Sequence, residues 1–116
     1  MEPEKTLISA LKGVFPAMDV FHDFAPDNAA APFAVLQRVG GAGGLYLGGG
    51  GAYQIRFQLS VWADTRVQAA DISRRAENAL CTLPRVCADG AGLADYDADT
   101  GLRGLRQDFL VFSEAV

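Results

Sequence analysis

The chain has 116 residues, half of them hydrophobic, and a formal net charge of −4. This length suits one domain over residues 1–116, with enough apolar side chains for a core. No apolar run reaches the roughly 20 residues of a membrane span, and the acidic balance disfavours a protein that holds nucleic acid by a basic surface. The first residues lack the features of a signal peptide, so a cytoplasmic origin is expected.

The first predicted element is a helix over Glu4–Phe15, because apolar side chains recur there at a spacing of three or four. A short extended piece at Val20–Phe24 and a loop follow it. Pro32 then opens a strand, PFAVLQRVG, whose apolar start and polar end predict that it leaves the core at one end.

Residues 40–51 are unusually rich in glycine, at eight of twelve positions. Between two strands, such a segment predicts a long flexible hairpin arm. A nucleotide site is disfavoured, because position 46 is tyrosine where a GxGxxG motif needs glycine. Leu45, Tyr46 and Leu47 are the arm's apolar side chains, and we expect a partner to cover them.

The stretch from Tyr53 to Leu83 combines a strand with a helix. Polar and apolar residues alternate over Tyr53–Trp62, which predicts a half-buried strand roughly 33 Å long. Its polar face carries Arg56 and Trp62, and tryptophan is enriched at interfaces. After Asp64 the spacing becomes helical, and Thr65 with a glutamine three residues later predicts a capped helix start.

Two further strands are predicted near the end, at Leu93–Tyr96 and Leu105–Phe112. The unbroken apolar run at the end of the second predicts burial on both faces or a bulge. The predicted fold is therefore α+β, with the order α-β-β-α-β-β. Two helices would pack on one face of a four-stranded antiparallel sheet, from which the glycine-rich arm extends.

Asp95, Asp97 and Asp99 alternate before a glycine and resemble half of a calcium loop. An EF-hand needs glycine at loop position 6 and glutamate at position 12, where this chain has Thr100 and Arg106. A solvated acidic turn is the better interpretation. The sequence predicts neither a metal site nor a cofactor.

The lone histidine and the two cysteines offer little chemistry. His22 stands in an extended segment, and no serine or cysteine stands in a nucleophile motif. Cys81 and Cys87 lie at a helix end and just beyond it, where a bridge is conceivable but free thiols are the more common case. We expect no catalytic residues and a function based on contacts.

The order of these features resembles the tail-completion or tail-terminator family of long-tailed phages and prophages. The likeness spans nearly the whole chain, although each motif alone is weak. It rests on a helix ending in Val14-Phe15-Pro16, the strand Ala31–Leu36, the strand-to-helix segment Gln54–Thr65 with Gln68–Ala70, and a closing pattern at Tyr96, Asp97, Thr100, Gly101, Leu102, Gly104, Asp108, Phe109 and Val111.

The resemblance implies a structural protein without enzymatic activity, in the host cytoplasm during assembly and then at the head-proximal end of the tail. Its partners would be itself, usually in a hexameric ring, the tail tube protein and the head–tail connector protein, with DNA only passing through. A head-closure or connector adaptor and a small ligand-binding or enzymatic domain remain alternatives. We expect Leu45, Tyr46, Leu47, Arg56 and Trp62 to form contacts between subunits or with a partner.

Overall fold

The computed structural model describes residues 2–42 and 53–113, which form one sheet and two helices. In chain order the elements are α1 (Pro3–Val14), β1 (Asp19–His22), β2 (Phe33–Ala42), β3 (Tyr53–Ala63), α2 (Arg66–Cys81), β4 (Val86–Tyr96) and β5 (Arg103–Ser113). The strand order in the sheet is β1-β2-β3-β5-β4.

Both helices pack on the same face of the sheet, as the alternation in β3 predicts. Every second residue of that strand, from Ile55 to Ala63, is buried beneath the helices. Helix α1 contributes Leu7 and Leu11 to this core, and α2 contributes a stripe at helical spacing. That stripe consists of Ala69, Ile72, Ala76 and Leu80.

The switch from strand to helix occurs where the sequence predicts it. Thr65 is the N-cap of α2, and its side-chain oxygen accepts a hydrogen bond from the backbone N–H of Gln68 at 3.1 Å. This bond satisfies one of the free N–H groups in the first turn. The junction between β3 and α2 is therefore specified by the local sequence.

The prediction of four antiparallel strands is wrong, because the described residues form five strands in a mixed sheet. The extra strand is β1, which pairs with β2 in parallel from Asp19↔Phe33 to His22↔Leu36. Two parallel strands cannot be joined by a tight turn, so the chain must return along the sheet between them. Residues 23–32 make that return, ending at a cis peptide bond between Ala31 and Pro32.

The C-terminal strands also differ from their predicted extents. Strand β4 begins at Val86 rather than Leu93, and its register shifts between Asp89 and Leu93. Strand β5 lies between β3 and β4, with unbroken register against β3. Its apolar run is fully buried only on the helix side, whereas Phe112 on the other side is 37 % exposed. The irregularity is thus in β4, not in β5.

Only residues 40–42 of the predicted glycine-rich arm fall within the described residues. Residues 40–42, which we placed in the arm, instead extend β2 and pair with Gln54–Arg56 of β3. The remainder of the arm, with Leu45, Tyr46 and Leu47, lies outside the described residues. As predicted, β2 is buried at its start and exposed at its end.

Candidate interaction surface

The face of the sheet opposite the helices is the candidate functional surface; we call it the open face. Because side chains alternate along a strand, β3 presents Gln54, Arg56, Gln58, Ser60 and Trp62 there. The register places Trp62 beside Phe33 of β2 and Gly104 of β5. Large side chains therefore gather at the end of the open face where β3 leads into α2.

At that end, two loops rise from the open face and enclose a cleft of about 640 Å³. One wall is the return segment between β1 and β2, from Phe24 to Ala29, and the other is the turn between β4 and β5, around Asp97–Leu102. The parallel pairing of β1 brings the first wall over the sheet. We call this cavity the sheet cleft.

The floor of the sheet cleft is largely apolar. Phe33 and Val35 are each only 8 % exposed, although they lie on the face that no helix covers. Phe21 packs edge-on against Phe33, with ring centroids 5.9 Å apart. Half-buried Trp62 continues this floor, and Phe24 stands on the rim, 78 % exposed. The cleft thus offers aromatic surface to solvent.

The walls are acidic. Asp27 lies on one wall, and Asp95, Asp97 and Asp99 lie on the other. The carboxylate of Asp95 lies 3.5 Å from Nε of Arg106, and that buried nitrogen has no hydrogen-bond partner. In the described part of the chain, Asp27, Asp97 and Asp99 have no such ion pair. The cleft therefore carries an excess of negative charge.

The second wall is held in place from the helix layer. Arg66, the first residue of α2, donates hydrogen bonds to the backbone carbonyls of Gly104 and Asp95, the latter at 2.8 Å. The turn itself closes through Gly101, which has a φ of 74° that favours glycine. The backbone N–H of Asp99 donates to the side chain of Asp97 at 3.0 Å. This is the acidic turn that the sequence predicts.

Arg56 lies elsewhere on the open face, about 20 Å along β3 from Trp62. Its guanidinium donates hydrogen bonds to the carboxylates of Asp89 on β4 and Asp108 on β5. These two bonds raise the pKa of Arg56, with Asp89 the larger cause. The predicted site residues Arg56 and Trp62 thus share a face, but the structure does not bring them together.

Sequence reasoning missed half of the sheet cleft. The return segment with Phe24 and Asp27 gave no signal, because its role depends on the pairing of a four-residue strand. His22, the histidine considered for catalysis, is exposed and lies 3.5 Å from Asp23. It does not line the cleft.

Residues 2–42 and 53–113 contain neither a metal-binding cluster nor a membrane-spanning helix. No group of three or more histidine, cysteine, aspartate or glutamate residues is placed there to hold a metal ion. Neither of the helices in those ranges has the length and apolar character needed to cross a membrane. Cys81 and Cys87 are free thiols, both exposed.

The same fold occurs in a chain of a solved virion particle. A chain in the structure titled "Virion of native gene transfer agent (GTA) particle" superposes with a TM-score of 0.67 over 92 % of this chain and 90 % of that chain, at 15 % sequence identity. The sequence identifies the protein family, which a fold likeness at this low identity does not. The family model for tail completion protein gp17 matches residues 7–113, so the chain belongs to that family and is a phage tail structural protein. A comparison with curated protein sequences finds no significant match.

Proposed function

We propose that this protein caps the head-proximal end of a phage tail tube, ends polymerisation of the tube and helps to join the tail to the head. The observation that carries the proposal is the match to the tail completion family over residues 7–113. In this role the protein is a non-enzymatic subunit. It is made in the cytoplasm of the bacterial host and remains in the finished tail.

A cap on a tubular tail is best made by a closed ring, and we propose a ring of six copies. Such a ring needs two different patches on each subunit that meet head to tail. Support for one patch comes from the Arg56 cluster on the open face, which the helices leave uncovered. We assign Leu45, Tyr46, Leu47, Arg56 and Trp62 to contacts between copies or with the tail tube and connector proteins.

The charge of the protein suits a channel through which DNA only passes. The formal net charge is −4, and affinity for DNA comes mainly from cationic contacts with phosphates. An acidic ring would repel the backbone weakly and would not hold it. We therefore assign DNA as passing cargo and not as a ligand.

Deleting the gene from a phage or prophage that carries it tests the proposal. We expect overlong tails that are not attached to heads, and plasmid-borne protein should restore normal length and attachment. Tails of normal length that fail to join heads would instead indicate a head-closure adaptor. Negative-stain electron microscopy of the purified protein mixed with its cognate tail tubes should show a ring at one tube end.

The assigned contacts are tested by substitution in the same system. Changing Leu45, Tyr46 and Leu47 to serine together, or Trp62→Ala alone, should reduce the fraction of capped tubes. Val67→Ser is the matched control, because Val67 is 80 % exposed but lies on α2, on the other side of the sheet. Equal capping by all three proteins would contradict the assignment.

A further inference from the structure

We infer that the sheet cleft binds an extended segment of a partner protein in which lysine or arginine stands beside an apolar side chain. The inference deepens the proposed function, and rests on it only for the origin of the partner, another protein of the particle. The recognition chemistry follows from this chain alone. Three features of the cleft point to it: unpaired carboxylates, an uncovered aromatic floor and an unpartnered hydroxyl.

The carboxylates of the cleft favour a cationic side chain on the partner. Asp27 lines one wall of the cleft, and Asp97 and Asp99 line the other. None of the three has a cation within ion-pair distance in the described ranges, and the one arginine of the cleft, Arg106, is already placed against Asp95. A cationic side chain entering between the walls would meet negative charge on both sides.

The aromatic floor of the cleft favours an apolar side chain on the partner. Trp62 is fixed against β5, and Phe24 on the rim is 78 % exposed, so the partner's apolar side chain would contact two aromatic rings. Tryptophan and other aromatic residues in a cleft supply much of the binding energy in protein interfaces. A guanidinium can also stack on such rings, which favours arginine over lysine.

Ser60 supplies a polar group inside the cleft. The residue is only 8 % exposed, it lines the cavity, and its hydroxyl makes no hydrogen bond with the described residues. The hydroxyl oxygen is open to the cleft and not sealed in the core, so it is available to a ligand. It lies between Val35 and Arg106 in the sheet register, in the middle of the cleft. An extended backbone lying over the sheet could pair with it.

A different protein fits this cleft better than a second copy of the chain. A second copy carries a formal net charge of −4, so the acidic cleft does not attract it at long range. The two exposed arginines on α2, Arg74 and Arg75, lie 2.7 and 4.0 Å from the carboxylate of Asp71. The cleft volume of about 640 Å³ lies within the range of sites that enclose a short peptide-sized ligand.

Trp62 makes the test direct, because it is the only tryptophan in the chain. Its fluorescence is titrated with a short capped peptide of alternating arginine and leucine, and with a matched glutamate–leucine peptide. We expect a saturable change with the arginine peptide, half-complete below about 1 mM, that weakens as salt is raised. The glutamate peptide should cause no saturable change.

Variants separate the cleft from general charge attraction. Asp97→Asn with Asp99→Asn should weaken binding roughly five- to tenfold, since two exposed ion pairs are lost. The control pair, Asp71→Asn with Glu77→Gln on α2, removes the same charge far from the cleft and should bind as the unchanged protein does. Phe24→Ser should also weaken binding without unfolding the protein, because Phe24 is exposed.

Three results would overturn the inference. The first is no saturable response to the arginine peptide, and the second is equal weakening of peptide binding by the cleft double variant and the α2 double variant. The third is a Trp62 fluorescence shift that depends on protein concentration in the absence of peptide. The last would show that a second copy occupies the cleft. None of these results depends on tail capping, and loss of capping in the gene deletion does not depend on the peptide. Failure of the inference is therefore distinguishable from failure of the proposed function.

Discussion

Trp62 lies so close against Gly104 that a β-carbon at position 104 would fall 2.8 Å from two atoms of the indole ring. The two residues are directly paired across β3 and β5. Only a residue without a side chain leaves room for the ring to lie on the neighbouring strand. This contact fixes Trp62 as the floor of the sheet cleft.

The first prediction is that Gly104→Ala displaces Trp62 and destabilises the protein by about 1–3 kcal/mol, the usual cost of overpacking. Tryptophan fluorescence should shift to the red as the ring moves into solvent, and urea unfolding should show the lost stability. Gly13→Ala is the control, because nothing lies within 4 Å of a β-carbon there. Gly13 is in α1, where alanine should be neutral or stabilising by up to about 1 kcal/mol.

The second prediction concerns the start of α2. Thr65→Ala removes the acceptor for the N–H of Gln68 and should lower the free energy of unfolding by about 1 kcal/mol. Thr65→Ser keeps that acceptor and should remain close to the unchanged protein in urea unfolding. If serine and alanine were equally destabilising, the methyl group rather than the cap would be the cause.

The capped helix and the strand before it were predictable because their signals are local. The period changes from two to about 3.6 within a few residues, and Thr65 marks the change. The contact of Trp62 with Gly104 had no such signal. It depends on β5 pairing with β3 while β4 takes the edge, and no periodicity within either strand specifies that order.

The sheet cleft was unpredictable for a related reason. Its walls, near Phe24–Ala29 and Asp97–Leu102, are far apart in sequence and meet only because the sheet places them at one end. Strand β1 has four residues, too few for an alternation to be distinguished from a loop. Its parallel pairing is a tertiary outcome that local propensity does not reveal. The acidic turn was predicted, but its position against Trp62 was not.

The third prediction concerns pH. Arg38 on β2 donates two hydrogen bonds to the carboxylate of Glu4 on α1, at 2.6 and 2.9 Å, and both side chains are partly buried. These bonds hold the pKa of Glu4 below its ordinary value of 4.5. Glu4→Gln should lower the free energy of unfolding by about 1–2 kcal/mol at neutral pH, as expected for a charge-assisted, bidentate pair.

The sign of the pH effect follows from the lowered pKa. The stabilisation by Glu4 is complete above the unfolded-state pKa and is lost as the pH falls through the lower folded-state value. The difference in stability between the unchanged protein and Glu4→Gln should therefore shrink below about pH 4.5. Glu2→Gln, at an exposed position of the same helix end, is the control. A difference that stayed constant with pH would contradict the ion pair.

The fourth prediction concerns the cluster around Arg56. Asp89 and Asp108 face each other directly across β4 and β5, and Arg56 from β3 is hydrogen-bonded to both. Like charges opposite each other in a sheet are destabilising. Arg56→Met should therefore lower the Tm, and adding Asp108→Asn to that variant should restore part of the loss because the repulsion disappears.

Salt distinguishes repulsion from lost packing in this cluster. The Tm deficit of Arg56→Met should be smaller in 1 M salt, where the Debye length is about 3 Å and the two carboxylates are screened. Arg74→Met is the control, since Arg74 belongs to an exposed i,i+3 pair and should change the Tm little. A deficit that salt and Asp108→Asn both left unchanged would show that Arg56 stabilises the open face by packing of its aliphatic stem and not by separating the two aspartates.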